Sequence, residues 1–599
     1  MKYAILALLV LMLPLANADL NPKTVSEITA RITQEGSLHI TGYIEKANIT
    51  LYIPQDGIVS QDITGDGNFK HTIIYDKYGN RKLLLEWKNP SGIAAYKITT
   101  VVNNKAKTLS KAINTGDSVY TDASNYLQET RSIVISNEIR KAAFPYTKTI
   151  ERVAEMTMYV HGLMTYDISL VGERKSSAWA FENRRGVCVE HANLLTAMLR
   201  AAGIPTRYIT GYAYSSVDKR LIGHTWVEVL AEDGAWVAFD PTWLEGGYLD
   251  ATHIKTASLP DDEQSDILTY FGTGSIKWER GTTGTNDLYT DKIDILDIKS
   301  GSLSAISLSD SGKIGFEGWG YVSAAVETST CTISELSATS CVDSHDRKVL
   351  SIQGQNQAAL ICGEKNFVWF MKENSGSQGP YKCPVTIYDQ LGIDESIAVE
   401  VGITFKGEDV IISGPSVVGV NENFELKSSE QSGFVFYSTE LGLHNSDTWE
   451  LKLEKPGEYH FFLFKDGSVD TKEVVAVDKK EFEISIGAPQ VMVQGESAII
   501  SATVKNLLGA RSVNIILDFE KRREQSAYMS AGEEKTFYFN ITATEPGTKQ
   551  LSLSATGDSI VSTSASIKIT AKAKENPPFQ FLSDFFGIIA NFFSSLFRR

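Results

Sequence analysis

The pattern of hydrophobic and polar positions divides the chain into long β-type regions and one region with helices. From about residue 25 to 107, short segments alternate with a period of two and are separated by turns, which predicts β-strands. The same alternation dominates again from about residue 291 to 571. Between residues 124 and 164 the period becomes helical, so one helix-containing domain is expected inside a mostly β chain.

The helical region leads into a segment where helices and strands are mixed. Residues 149–163 predict a helix with one apolar face, formed by Val153, Met156, Val160 and Leu163. Residues 192–202 are mostly apolar and are followed by Gly203 and Pro205, which predicts a buried helix that ends there. Strands are expected at 206–214, 224–230 and 235–239, with a tight turn at 232–234. This part of the chain is therefore expected to form an α+β domain.

A chain of 599 residues is too long for a single hydrophobic core. Turn-rich stretches near residues 413–415 and 486–489 divide the second β region into three modules. We expect an N-terminal β domain at 19–120, the α+β domain at 121–280, and β modules at 290–400, 401–482 and 483–572. The last module, with the segments A-I-I-S-A-T-V-K-N and K-T-F-Y-F-N-I-T-A-T-E-P-G, resembles the immunoglobulin-like modules of microbial surface enzymes.

The first eighteen residues have the features of a secretory signal peptide. Lys2 precedes an apolar run at 4–15, and Ala16-Asn17-Ala18 forms an A-x-A cleavage site. We therefore expect residues 1–18 to be removed and the protein to be exported.

The last segment, residues 573–599, has the pattern of an amphipathic helix. It follows Pro577 and Pro578, carries a wide stripe of Phe, Leu and Ile at helical spacing, and ends in Arg598 and Arg599. We favour a helix that lies on a membrane surface. A short spanning anchor and docking onto another chain remain open.

Cysteine usage fits an oxidising compartment. Cys188 stands alone, whereas Cys331, Cys341, Cys362 and Cys383 lie within about fifty residues and are candidates for two disulfides. Four cysteines allow three pairings, and we favour sequence neighbours, Cys331 with Cys341 and Cys362 with Cys383. The chain has no C-x-x-C pair, which disfavours a four-sulfur zinc site. A net charge of −16 without a basic stripe argues against nucleic acid as a partner.

Cys188, His224 and Asp240 form a candidate catalytic triad. Cys188 begins the predicted helix, where unpaired N–H groups and positive potential favour a thiolate and can face an oxyanion. His224 starts one strand and Asp240 ends the next strand of the same predicted hairpin, close to cross-strand register. A carboxylate there can fix the imidazole tautomer and stabilise its protonated form. The other ring nitrogen is then free to face Cys188, and the three residues can form an acyl-enzyme.

These residues have two alternative explanations. Each residue alone is most often structural: a buried cysteine, a hydrogen-bonded histidine and a turn aspartate before Pro241. His191, one turn after Cys188, offers a zinc site with the same three residues, although its apolar surroundings favour packing. The ordered combination, flanked by aromatic residues, favours nucleophilic catalysis without a metal or cofactor.

Several motifs of residues 126–242 resemble the transglutaminase-like superfamily, which has a papain-like core. They are Y-D at 166–167, G-V-C at 186–188, L-R-A-A-G-I-P-T-R at 199–207, G-H-T-W-V-E at 223–228 and W-V-A-F-D-P-T at 236–242. The resemblance implies an α+β transglutaminase-like core flanked by all-β, Ig-like sandwich modules. It implies Cys188 as nucleophile, His224 as base and acid, and Asp240 as orienting carboxylate. His191 departs from the aromatic residue that the family often has, and no calcium-site motif matches.

The expected function is that of an exported, surface-associated thiol enzyme acting on amide bonds of proteins or peptides. The resemblance favours a cysteine protease or amidase. A protein-glutamine transglutaminase and a non-catalytic surface scaffold or adhesin are the alternatives. Trp179 and Trp226 are candidates for lining the acyl site. Expected partners are the substrate, a membrane surface through the C-terminal helix, and envelope polymers or proteins through the β modules.

Overall fold

The computed structural model describes most of the chain between residues 20 and 572. The described ranges are 20–109, 123–143, 149–262, 266–281, 291–315, 318–343, 346–354, 356–374, 381–403, 410–431, 434–438, 441–444, 446–454, 456–477, 480–557 and 560–572. The expected signal peptide at 1–18 and the expected C-terminal helix at 573–599 lie outside these ranges. Within them, no helix has the length and hydropathy needed to cross a membrane.

The N-terminal β domain is a sandwich of two sheets. Its core lies between them and includes Leu38, Ile49, Leu85, Trp87 and Ile98, all of which are buried. A short 3-10 helix at Pro22–Thr24 precedes the first strand. The strands are β1 (Val25–Thr41), β2 (Ile44–Tyr52), β3 (Ile58–Gly65), β4 (Phe69–Tyr75), β5 (Arg81–Lys88) and β6 (Ile93–Lys105).

The α+β domain follows, and a five-stranded antiparallel sheet with order β12-β11-β10-β9-β13 supports it. Its helices are α1 (Asn137–Ala142), α2 (Ile150–Leu163), α3 (Ser177–Asn183) and α4 (Cys188–Ala201). Short 3-10 helices lie at Ala123–Tyr126 and Ile168–Leu170. The strands are β7 (Thr165–Tyr166), β8 (Arg185–Gly186), β9 (Thr206–Ser215), β10 (Arg220–Leu230), β11 (Trp236–Asp240), β12 (Glu245–Gly246) and β13 (Ile254–Leu259).

Helix α4 is the central element of this domain. Leu194, Leu195, Ala197 and Leu199 are fully buried, and the helix packs between the sheet and the other helices. The helix is buried on nearly every face, as the sequence predicted, and its buried polar side chains Glu190, Asn193 and Arg200 have hydrogen-bond partners. Helix α2 begins one residue after Thr149, whose hydroxyl accepts a hydrogen bond from the N–H of Arg152.

Three strands after the α+β domain return to the N-terminal sandwich. They are β14 (Ile267–Gly272), β15 (Ser275–Arg280) and β16 (Lys292–Ser300). Strand β14 pairs with β2, and both β15 and β16 pair with the long strand β1. The α+β domain is therefore inserted into the sandwich. This differs from the predicted boundaries at 280 and 290, because local alternation does not reveal which distant strand a segment pairs with.

The module after residue 300 contains both disulfides and consists of two sheets. Its strands are β17 (Ser304–Asp310), β18 (Lys313–Gly315), β19 (Trp319–Thr328), β20 (Thr332–Thr339), β21 (Leu350–Ile352), β22 (Asn356–Ile361), β23 (Glu364–Glu373), β24 (Tyr381–Tyr388) and β25 (Asp394–Ile403). Ile333 of this module is buried in the same hydrophobic cluster as Phe239 and Leu244 of the α+β domain. The disulfide module thus packs directly on the core that carries the candidate triad.

The disulfides join Cys331 to Cys362 and Cys341 to Cys383. The predicted pairing of sequence neighbours was therefore wrong. Strand register explains the observed pairs. Thr332 of β20 lies opposite Ile361 of β22, which places Cys331 beside Cys362. Strand β20 also pairs with β24, which carries Cys383 close to Cys341.

Two further β modules complete the described chain. The first has strands β26 (Ile412–Pro415), β27 (Val417–Gly419), β28 (Asn423–Ser428), β29 (Val435–Ser438), β30 (Gly442–His444), β31 (Thr448–Lys452), β32 (Gly457–Lys465) and β33 (Ser468–Val477). The second has β34 (Phe482–Gly487), β35 (Val491–Val493), β36 (Ser497–Asn506), β37 (Arg511–Phe519), β38 (Lys521–Met529), β39 (Glu534–Thr542), β40 (Gly547–Thr556) and β41 (Ile560–Thr570). Strand β26 pairs with both β28 and β41, so one sheet continues through both modules. The predicted class, an α+β core flanked by all-β sandwiches, is confirmed.

Candidate active site

Cys188 is the first residue of helix α4, as the sequence predicted. Val187 precedes it with extended backbone and acts as the N-cap. The Cys188 side chain is half-buried and its thiol is free, whereas the other four cysteines are in disulfides. The thiol therefore lies at the positive end of the helix with access to solvent.

Glu190 fixes the loop that presents Cys188 and was not among the predicted site residues. Its side chain is fully buried and accepts hydrogen bonds from the N–H groups of Val187 and Lys175, each at 3.0 Å. Burial raises the pKa of Glu190 although these hydrogen bonds oppose the shift. The sequence does contain a pattern that predicts this role: Glu190 lies three positions after the N-cap Val187, where the carboxylate of a capping box lies.

Gly186 packs tightly against this cap. A Cβ atom placed on Gly186 would lie 2.3 Å from the Cβ of Glu190, closer than two carbons can approach. Gly186 is also paired with Tyr166 in the short β7–β8 ladder, so its backbone has little room to shift.

We expect Gly186→Ala to displace Glu190 and to destabilise the start of α4 by about 1–3 kcal/mol, the usual cost of overpacking. Gly162→Ala is the matched control, because nothing lies within 4 Å of a Cβ at Gly162 and alanine suits its helix. Thermal unfolding and the alkylation rate of Cys188 measure the two effects. Equal behaviour of both variants would contradict this role of Gly186.

His224 and Asp240 lie side by side at the end of the β10–β11 hairpin. The Nε2 atom of His224 is 2.8 Å from Oδ2 of Asp240, and both side chains are almost completely buried. The Cys188 thiol is close enough to the His224 ring to raise its pKa, and because Nε2 faces Asp240, Nδ1 is the nitrogen left for the sulfur. Asp240 is held in turn by the N–H groups of Thr242 and Trp243 at 2.7 and 3.3 Å. The structure thus brings the three predicted residues together.

The electrostatic surroundings favour the charged forms of both His224 and Asp240. Burial would lower the pKa of His224, but the Asp240 carboxylate and the Cys188 thiol outweigh it and raise the pKa to about 9. Burial likewise opposes ionisation of Asp240, yet His224 and His253 hold the pKa of this carboxyl well below its usual range. His224 is therefore an imidazolium over the neutral range, next to the sulfur.

Trp243, which the sequence analysis missed, covers one face of His224. The two rings are parallel, 4° apart in tilt, with centroids separated by 3.9 Å. Trp243 is half-buried, so it lies between the His224–Asp240 pair and solvent. A Trp face this close to an imidazolium also provides a cation–π attraction.

The two predicted substrate contacts occupy different environments. Trp226 is 1% exposed and packs with Ile209, Ala238 and Leu249, so it presents no surface to a substrate and supports His224 from the core side. Trp179 is half-buried on α3, with the cations of Lys175 and Arg185 5.5 and 5.9 Å from its ring. A substrate contact at Trp179 stays a prediction.

His191 packs below the nucleophile. Its Nδ1 atom lies 2.8 Å from the carbonyl oxygen of Val187 and donates to it, and its ring is 3% exposed. Burial lowers the pKa of His191 to about 4, so the ring is neutral at neutral pH. The four residues of the zinc alternative are not gathered as a ligand set within the described ranges.

A second group of ionisable side chains lies behind Asp240. Potential metal ligands converge in two overlapping sets, one of His224, Asp240 and His253 and one of Glu245, Asp250 and His253, with ligand atoms within 4.8 Å of one another. Lys23 also lies in this buried region and interacts electrostatically with all three carboxylates. Lys23, His224 and His253 thus supply positive charge beside these carboxyl groups, and an added metal ion would compete with it.

Comparison with known proteins identifies the domain. Residues 136–241 match the model of the Transglutaminase-like superfamily, and this part of the chain is a transglutaminase-like domain. A protein-glutamine gamma-glutamyltransferase of Pseudomonas aeruginosa is 32% identical over 71 residues, which are 10% of this chain and 11% of that protein. The uncharacterized protein YebA of Bacillus subtilis is 26% identical over 113 residues, 16% of this chain and 15% of YebA.

Similar solved structures include a candidate cysteine protease from Cytophaga hutchinsonii. It has 17% sequence identity and a TM-score of 0.33, and the match covers 45% of this chain and 98% of that one. The ICAM-5 D1–D4 ectodomain fragment matches with 11% identity and a TM-score of 0.14, over 45% of this chain and 77% of its own. The relatives found by sequence are covered much less: the matches span between 11% and 34% of their length.

Proposed function

We propose that this protein is a thiol enzyme that acts on amide bonds of proteins or peptides through a Cys188–His224–Asp240 triad. The observation that carries the proposal is the placement of Cys188 at the start of α4, near a buried imidazolium that Asp240 holds. A helix N-terminus and a neighbouring cation both stabilise a thiolate. The thiolate, not the thiol, is the nucleophile.

The chemistry follows from these three residues. The sulfur attacks the amide carbonyl carbon, a C–S bond forms, and the oxygen becomes an oxyanion that the N–H of Cys188 can face. His224 then donates its Nδ1 proton to the leaving nitrogen, the C–N bond breaks and an acyl-enzyme remains. Asp240 stays ionised throughout and keeps the imidazole oriented.

The acyl-enzyme can be released by two acceptors. Water, deprotonated by His224, gives hydrolysis, and we favour this reaction of a cysteine protease or amidase. A primary amine gives acyl transfer, and the match to the Pseudomonas aeruginosa protein-glutamine gamma-glutamyltransferase supports this second candidate. Both reactions share every step up to the acyl-enzyme.

The proposed setting is the outside of the cell. Two disulfides fit an extracellular protein. Export through residues 1–18 and membrane association through 573–599 remain part of the proposal, as does binding of envelope polymers or proteins by the β modules. The non-catalytic alternative is a surface scaffold built from the same modules.

The test compares the purified protein with its Cys188→Ala variant on a mixed protein substrate that includes a tagged primary amine. Intact and peptide masses are then read. New chain termini made only by the unsubstituted protein support hydrolysis, and tagged or deamidated glutamines on uncut chains support transfer. Identical spectra for the two proteins would reject the enzyme and favour the scaffold.

The pH dependence follows from His224. Its raised pKa means that the imidazolium persists below about pH 9 and is lost as the pH rises through that value. We expect the rate of Cys188 alkylation by iodoacetamide to show an upper inflection near pH 9, where the thiolate loses its cationic partner. In His224→Gln we expect labelling at pH 6 to be lost and the rate to rise in a single step, as for an ordinary cysteine; unchanged labelling at pH 6 in this variant would contradict the role of His224.

A further inference from the structure

Six ionisable side chains, two of them members of the candidate triad, are buried together. They are at most 7% exposed and comprise three bases and three acids: Lys23, His224, His253, Asp240, Glu245 and Asp250. Burying charges is costly unless they compensate one another. The three bases can offset the charge of the three acids. Burial lowers the pKa of Lys23 and raises the pKa of Glu245 to about 8, so Glu245 is mostly protonated at neutral pH and ionises as the pH rises through that value.

His253 connects Asp240 to the deeper acids. Its Nε2 atom is 3.3 Å from Oδ2 of Asp240, the same oxygen that binds His224. Its Nδ1 atom is 3.4 Å from Oδ1 of Asp250. Glu245 lies opposite Asp240 in the β11–β12 ladder and accepts a hydrogen bond from the N–H of Asp250 at 3.1 Å. Asp240 is therefore held from both sides.

Lys23 reaches this cluster from outside the α+β domain. It lies on the short 3-10 helix that precedes β1 of the sandwich, and its Nζ donates to the carbonyl oxygen of Leu244 at 3.1 Å. Leu244 has a left-handed backbone with a φ of 54°, uncommon for a branched residue, between Asp240 and Glu245. The ammonium therefore holds the strained turn that joins the two acids.

The sandwich also clamps the loop that carries Asp250 and His253. The hydroxyl of Tyr248 and the N–H of Ala251 both donate to the carbonyl oxygen of Val25, at 3.1 and 2.9 Å. The side-chain amide of Asn104 donates to the carbonyl oxygens of Ala251 and His253. Lys23 is thus the charged member of a broader contact between the two domains.

We propose that Lys23 is a positioning residue for the candidate triad: its ammonium group holds the Leu244 turn between Asp240 and Glu245, and its charge attracts Glu245 and Asp250, which through His253 keeps Asp240 against His224. The proposal rests on the proposed function of the triad. It makes the N-terminal sandwich part of the working active site, because the sandwich supplies the cation.

Removing the charge of Lys23 should change the pKa of His224 in a definite direction. Removing a cation from the cluster favours the protonated form of His224, whereas removing a carboxylate charge disfavours it. Burial and Asp250 raise the pKa of Glu245 to about 8, so Glu245 is mostly ionised at the inflection near pH 9. The other groups that face the cluster are unchanged by either substitution: Asp389 toward Lys23, Cys188 toward His224, and His161 and His191 beside them.

The experiment measures the pH profile of Cys188 alkylation and the rate of turnover in the full protein and four variants. Lys23→Met and Glu245→Gln each remove one charge. Lys23→Arg keeps the charge, and Lys299→Met removes an exposed lysine of the same sandwich. We expect Lys23→Met to move the upper inflection to higher pH by about half a unit or more and Glu245→Gln to move it to lower pH. We also expect kcat to fall about tenfold or more in Lys23→Met, with KM little changed and partial recovery in Lys23→Arg.

Opposite shifts support the proposal, because a variant that only loosens packing would not move the inflection in a direction set by its charge. Inflections that stay in place, or move in the same direction in both charge variants, would overturn it. If one charge variant fails to fold, the other still gives the direction in which the inflection moves. Failure of the proposed function is a separate result. It is seen when Cys188 of the unsubstituted protein is alkylated with the pH profile of an ordinary thiol.

Discussion

Asp240→Asn is expected to lower kcat by about 10⁴-fold, the effect of replacing the orienting carboxylate of a triad by an amide. Asp240 accepts hydrogen bonds from His224, His253 and two backbone N–H groups, and it supplies the charge that raises the pKa of His224 to about 9. An asparagine keeps the size but removes the charge. The imidazolium is then lost at neutral pH, and the ring is free to adopt the wrong tautomer.

Steady-state kinetics on the substrate found with the mass assay measure this effect. Asp233→Asn is the matched control, because Asp233 is an exposed turn residue that only accepts the N–H of Ala235. The control should be within about twofold of the unsubstituted protein, since surface substitutions have small effects. A loss below tenfold for Asp240→Asn would remove this carboxylate from the mechanism.

Removing the Cys341–Cys383 disulfide is expected to cause the largest loss of stability, about 2–5 kcal/mol in the free energy of unfolding of its module. The bridge joins residues 42 positions apart, so its loss frees a long loop in the unfolded chain. Because Ile333 of this module packs in the core with Phe239 and Leu244, the α+β domain should also unfold more readily.

Denaturant unfolding of the Cys341→Ala/Cys383→Ala double variant checks this expectation. Cys188→Ala is the control, since it replaces a cysteine without breaking a bridge. Reductant should shift the transition of the control and leave the double variant less affected. Coincident transitions of the double variant and the control would show that the bridge adds nothing to stability.

The residues nearest the proposed chemistry could be predicted from the sequence because each lies in a short local pattern. Cys188 starts a helix that the apolar composition predicts, and Asp240 ends β11, whose turn with β10 is evident at residues 232–234. The prediction that His224 starts its strand was wrong, because β10 begins at Arg220 and pairs with β9 before it meets β11. Local periodicity fixes such elements and their approximate register. It therefore also fixes which side chains meet at the end of the hairpin.

The rest of the site depends on contacts between distant segments. Lys23 is 221 residues from the Leu244 carbonyl that it binds, and no local pattern links the two. The insertion of the α+β domain into the sandwich was missed for the same reason, because β15 and β16 are typical strands whose partner is β1. The predicted disulfide pairing was wrong because strand register, and not proximity in sequence, determines which cysteines meet.

The two tryptophans show a related limit. Trp226 and Trp243 both flank the hairpin end in sequence, but pleat and burial decide their roles. Trp226 is directed into the core, and Trp243 stacks on His224 from the solvent side. Only the three-dimensional structure distinguishes the packing residue from the one that shields the imidazolium.

The most direct test of the central claim, that Cys188 is an activated nucleophile paired with His224, is the pH profile of its alkylation by iodoacetamide. All four other cysteines are in disulfides, so the label reports Cys188 alone. We predict fast labelling at pH 6 in the unsubstituted protein and slow labelling in His224→Gln. Labelling that rises only near pH 8.5 in both proteins, as for an ordinary cysteine, would contradict the account.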